Sequence, residues 1–208
     1  MAVRPVGQTP SQTIGPFFSI RLSGEGQNVL CDVETQGERI RIEGRVLDGD
    51  RAPIEDALIE LWQANAAGRY RHPADDRDAI AVETGFTGFG RAASGVDTGA
   101  FWFETVKPGA VPGPDEALQA PHVSLIVQAR GMLLPSFTRV YFSDEPDANA
   151  HDPVLSQVPR GRRATLIAER APGSDPAVPA VSAVSAVSAV YRYDIVFQGD
   201  HETVFFDF

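Results

Sequence analysis

Residues 40–70, IRIEGRVLDGDRAPIEDALIELWQANAAGRY, constrain the fold more than any other stretch. Ile40, Ile42, Gly44 and Val46 alternate with Arg41, Glu43 and Arg45. A period of two is the pattern of a half-buried strand, because successive side chains point to opposite faces. LDGD and the nearby Pro53 supply a turn, since Asp and Gly tolerate the dihedrals of a tight reversal. The alternation then resumes, with Ala57, Ile59 and Leu61 on one face and Leu58, Glu60 and Trp62 on the other. NAAGRY closes the run with a second turn. The pattern predicts two strands that pair and bury one face on another layer.

The remainder of the chain repeats this theme. Its 208 residues are enough for one domain with a sizeable core and an extension. The 19 Gly and 16 Pro favour short strands and turns over long helices. TGAFWFETVKPG, HVSLIVQARG, FTRVYFSDE and YRYDIVFQG read as strands, with Val123, Leu125, Val127, Val140 and Phe142 suited to a sheet interior. Residues 110–121 read as a proline-marked loop. PRGRRATLIAER, residues 159–170, predicts one short helix. Residues 172–190 carry a repeated VSA triplet and read as a low-complexity surface loop. The expected fold is all-β: a two-sheet β-sandwich core over 37–208, an extended N-terminal arm over 1–36, and one short helix. Ile14, Phe17, Phe18 and Ile20 on that arm need burial on the body or on another subunit, against the alternative of a floppy terminus.

Composition narrows the function. A net charge of −10 disfavours nucleic acid and anionic membrane as partners, which both need a positive field. The single cysteine, Cys31, precludes an internal disulfide and fits a reducing compartment. No charged-then-apolar leader opens the chain and no apolar run is long enough to span a bilayer, so a cytoplasmic protein is expected. GFTGFG has the glycine spacing of a phosphate loop, but no Lys follows and no helix pattern opens after it. His72, His151 and His201 have no histidine at i+2 or i+4. Tyr191 and Tyr193 share a strand face, where packing is the simpler role. No G-x-S-x-G is present, and Cys31 has no base near it in sequence. By its own residues the chain reads as catalytically empty.

TPSQTIGPFF, LIELWQANAAGRY, FGRAA, TVKPG, APHVSLIVQARG, RVYFSDE, DPVL, RRATLIA, YRYDIVFQG and ETVFFDF together resemble the intradiol ring-cleaving dioxygenases. The likeness covers nearly the whole chain, except the VSA repeat and residues 22–36. WQANAAGRY and TVKPG are shared across the family. The opening SQTIGPFF and the ending ETVFFDF resemble more specifically the α chains of its two-chain members. The resemblance implies a β-sandwich core and an iron(III) enzyme of paired α and β chains. Such an enzyme opens protocatechuate between its two hydroxylated carbons, and both atoms of O₂ enter the product, 3-carboxy-cis,cis-muconate.

The same resemblance says where iron ligands belong. Two tyrosinates and two histidines hold ferric iron in the family, the tyrosinates as hard anionic donors. The first tyrosine follows an Asp-Arg pair, and here Asp76-Arg77 is followed by Asp78. The second lies just after TVKPG, at or beside Val111. The histidines come as His-X-His, and here His122 is followed by Ser124 in the partner's place. No metal ligand set is therefore expected in this chain, and the Fe(3+) is expected in the β chain. This chain's expected contribution is to the substrate pocket at the α/β interface, through Thr13, Gly15 and Pro16 on the arm and Arg130 after the HVSLIVQA strand. Gly15 would let a planar ring approach the backbone. The plainer readings are an ordinary Gly-Pro turn and a solvated arginine at a strand end. Phe17 stands where the family's α chain has Tyr. A β-sandwich binding module that has lost the metal is the alternative function, and the missing tyrosines oppose a self-sufficient catechol dioxygenase.

Overall fold

The computed structural model describes residues 9–15, 21–113, 117–172 and 187–207. Pro16, Phe17, Phe18, Ile20 and residues 173–186 of the 172–190 stretch lie outside them. The strands are β1 (Arg39–Leu47), β2 (Leu58–Trp62), β3 (Phe89–Ala93), β4 (Ala100–Val106), β5 (Val111–Pro112), β6 (Leu118–Gln119), β7 (His122–Gln128), β8 (Ser136–Phe142), β9 (Ile167–Arg170), β10 (Ala189–Arg192) and β11 (Ile195–Val196). The all-β expectation holds. β3, β2, β7 and β8 form one antiparallel limb. β9, β10 and β1 form the other, with β4 antiparallel and β11 parallel on β1.

The two limbs are not separate sheets. β8 pairs in parallel with β9 at Tyr141↔Ile167 and Phe142↔Ala168, so the hydrogen-bonded path runs unbroken from β11 to β3. The residues that close it are those expected to form a helix. Residues Arg160–Leu166 make a 3-10 helix and Ile167–Arg170 a strand. Gly161 and the β-branched Thr165 and Ile167 weaken an α-helix there. Leu166 and Ala168, both fully buried, then alternate as a strand requires. A six-residue α-helix, α1 (Pro146–His151), lies between β8 and this segment and buries none of its residues.

The core forms between the limbs. Ile40, Ile42, Phe101 and Phe103 from one meet Ile59, Leu61, Val123, Leu125 and Val127 from the other. The alternation of 40–62 thus places its apolar face as expected. Residues 22–36 are tied to this body: Leu30 N donates to the Glu104 carbonyl at 2.8 Å, and Leu30 and Cys31 are buried in the core. Among the described residues no helix is long and apolar enough to cross a membrane.

Candidate functional site

β7 has two faces. Val123, Leu125 and Val127 enter the core, so His122, Ser124 and Ile126 share the opposite one. Across that face Ser124 pairs with Trp62 on β2 and with Arg139 on β8, and His122 pairs with Tyr141. The outer face of this limb carries a cleft of about 530 Å³ walled by Trp62, Tyr70, His72, Arg77, Val111 and Pro112. The Trp62 and Tyr70 rings stack at 5.8 Å and 4°.

The 68–80 loop that closes the cleft is knitted by charge. Asp75 accepts from Arg77 Nε at 2.8 Å, from Arg77 Nη2 at 2.5 Å and from the Tyr70 amide at 2.8 Å. The Arg77 bonds hold the Asp75 carboxyl well below the usual carboxylate range. Arg69 binds the Ile80 carbonyl and pairs with Asp78 at 3.1 Å.

The structure thus gathers Arg77, Val111, His122 and Ser124 around one face, where the family places its iron, but the donors do not fit that metal. The Asp78 side chain is 95% exposed and points away to Arg69. Val111 offers no donor. His122 is buried, with its Nδ1 2.7 Å from the Ala120 carbonyl. A carbonyl only accepts, so Nδ1 carries the proton and donates. Burial, reinforced by the nearby Arg139 guanidinium, lowers the His122 pKa to about 4. One neutral nitrogen beside a cation cannot replace two tyrosinates and two histidines for ferric iron. Tyr191 and Tyr193 do not take over: burial, with Asp144 beside the former, pushes both phenols up to about 12. Tyr191 donates to Asp144 at 2.9 Å and Tyr193 to the Thr165 carbonyl at 3.2 Å, and both pack in the core as expected. Burial likewise pushes the Cys31 thiol up, against the pull of Arg39.

Arg130 lies elsewhere. It follows the end of β7 by two residues, and His122 begins that strand, so roughly 25 Å of extended chain separates them. Arg130 therefore does not line this chain's own cleft. It is exposed and pairs with Asp56 at 3.0 Å. Thr13 is brought to the same place: its Oγ1 accepts from the Gly131 amide at 2.7 Å. Gly15 is exposed, and an added Cβ would meet nothing within 4 Å. Two of the four expected pocket residues thus meet, Gly15 lies two residues on, and Pro16 is outside the described residues. Asp56 and Arg139 were missed in the sequence. Asp56 sits in a turn with no motif, and Arg139 looks like any outward residue of an alternating strand.

A family model described as "Dioxygenase" matches residues 14–199. The chain is 41% identical over 210 residues to the protocatechuate 3,4-dioxygenase alpha chain of Burkholderia cepacia, covering 96% of this chain and 97% of that one. It is 38% identical over 219 residues to the alpha chain from Pseudomonas putida, covering all of both. The chain belongs to the intradiol dioxygenase family, on the α-chain side of the protocatechuate 3,4-dioxygenases. The beta chain of the Burkholderia cepacia enzyme is 39% identical over 146 residues, covering 68% of this chain and 60% of that one. Solved intradiol dioxygenase structures share the fold: hydroxyquinol 1,2-dioxygenase from Pseudomonas putida DLL-E4 superposes with a TM-score of 0.58 at 23% identity, covering 93% of this chain and 67% of the other.

Proposed function

We propose that this chain is the α subunit of a protocatechuate 3,4-dioxygenase and works only in complex with a β-type chain. In this reading the β chain holds the ferric iron, and the complex converts protocatechuate and O₂ to 3-carboxy-cis,cis-muconate in the cytoplasm, as a step of aromatic catabolism. The observation that carries it is the donor set: a chain similar over its full length to α chains has Asp78, Val111 and Ser124 where iron ligands would stand.

The chain's own contribution is then to substrate and not to metal. Arg130 presents a permanently charged planar fork, suited to the carboxylate of protocatechuate or to charge developing on its ring oxygens. Thr13, Gly15 and Pro16 form part of the pocket wall, with the arm docked on the partner. The two-layer packing of the limbs around one core supports the sandwich description.

The test is co-expression with a β-type chain carrying both tyrosines and the His-X-His pair. The complex is expected to contain iron, to show the visible tyrosinate-to-iron band and to cleave protocatechuate. This chain alone is expected to show neither. Stoichiometric iron with that band on the lone chain would overturn the reading. A failure to associate with any β-type chain would favour the metal-free binding module.

A further inference from the structure

Three segments far apart in sequence meet at the loop end of β7. The Thr13 hydroxyl accepts from the Gly131 amide across 118 positions of chain. Arg130 Nη2 lies 3.0 Å from Asp56 Oδ2, contributed by the turn that precedes β2. Asp56 and Gly131 both have positive φ, 61° and 95°. We infer that Asp56 and Thr13 are positioning residues that aim Arg130 at the aromatic substrate held by the partner chain. This rests on the role proposed above for Arg130, and goes beyond it by naming the groups that fix its direction.

The physical case is one of geometry and entropy. An unrestrained arginine side chain is rotamer-rich, so ordering it when substrate arrives weakens binding. Asp56 Oδ2 lies 3.0 Å from Nη2 of the fork, and 68% of the Arg130 side chain stays exposed. The exposed part of the fork can then donate to a substrate oxygen. Thr13 fixes the peptide that follows Arg130, so the turn carrying it is anchored to the arm. Asp56 itself is held in the left-handed region, which Asp tolerates because its short side chain bonds locally. An ion pair this exposed adds little to stability, so orientation is the role the arrangement serves.

The test is steady-state kinetics on the co-expressed αβ complex, with iron content and thermal midpoint measured on the same samples. Arg130→Ala is expected to lower kcat/KM about 10- to 1,000-fold, as for loss of one charge-stabilising donor. Asp56→Asn keeps the left-handed backbone and removes the charge. It is expected to raise KM about 2- to 5-fold, the scale of one exposed pair, with kcat, iron and midpoint unchanged. Added to Arg130→Ala it is expected to do nothing more, because its effect passes through Arg130. Thr13→Val is expected to raise KM and Thr13→Ser to restore it. Losses that multiply in the Asp56→Asn/Arg130→Ala double variant would overturn the inference and leave the role of Arg130 standing. So would a lowered midpoint in Asp56→Asn. Unaltered kinetics in Arg130→Ala would overturn the role itself, and the inference with it.

Discussion

A buried histidine has to satisfy its ring within the protein. His122 gives its Nδ1 proton to the Ala120 carbonyl and lies 5.8 Å, ring to ring, from Tyr141. Tyr141 donates to Asp152, which is wholly buried and also accepts from the Ala120, Val154 and Leu155 amides. His122 is thus woven into a buried polar network, and its lowered pKa links stability to pH. The unfolded chain takes up the His122 proton near pH 6.5, whereas the folded chain resists until about pH 4. Stability from this residue is therefore full above pH 6.5 and falls as pH drops towards 4. The loss is roughly 3 kcal/mol from a shift of this size. His122→Asn retains a side-chain donor for Ala120 and does not titrate. Its urea midpoint is expected to fall less than wild type between pH 7 and pH 4.5. Parallel loss in both proteins would show that other groups carry the acid sensitivity. Arg41 teaches a related lesson. Its outward place in the β1 alternation hides a fully buried side chain, 2.7 Å from Glu104 and stacked 4.4 Å over Trp102.

At the scale of elements, β1 was legible because its apolar and charged residues alternate in sequence, although Ile40–Glu43 are all buried in the fold. Its one unusual residue was not. Gly44 counts as apolar in the pattern, yet its role is to have no side chain. An added Cβ would stand 1.7 Å from the Tyr193 carbonyl oxygen. β1 passes there from β10 to β11, with Asp194 accepting from the Arg45 amide at the break. Gly44→Ala is expected to destabilise by about 3 kcal/mol, because backbone must shift. Gly15→Ala, with open space around it, is expected to leave the thermal midpoint unchanged. Equal midpoints for the two variants would contradict this account. Other elements left weaker marks. β3 is short and glycine-bearing, so FGRAA shows no clear alternation. α1 buries nothing, so PDANAH has no apolar face to read. The 3-10 segment misleads because Leu166 and Ile167 sit among helix formers, while its real constraint is the pairing of β9 with β8 and β10. The candidate site divides the same way. Where the family's ligand positions fall could be read only through the resemblance, and the meeting of Thr13, Asp56 and Arg130 depends on loops that only the fold brings together.

For the whole molecule, the question is which segments the assembled body depends on. The arm is tied down by the Thr13 bond, and Leu133 and Leu134 stand exposed in the same loop as Arg130. That end of the molecule combines an anchored arm, exposed apolar side chains and a charged fork, which suits it to a partner surface. The VSA repeat sits at a different place, between β9 and β10. Those strands pair directly at Tyr191↔Arg170, and the Ala171 amide donates to the Val190 carbonyl at 2.8 Å. At the described end of the repeat, the Ser188 amide donates to the Arg39 carbonyl at 2.9 Å. The connection is therefore clamped on both sides by bonds that do not involve its middle. Removing residues 175–185 leaves every one of these bonds available, and shortening the connection changes its closure entropy by less than about 1 kcal/mol. The deletion is expected to leave the thermal midpoint, the size of the αβ complex and kcat/KM for protocatechuate within error of the parent. A smaller complex or a loss of iron on deletion would place the repeat in the interface. A lowered midpoint with intact assembly would instead mean that its residues pack on the body.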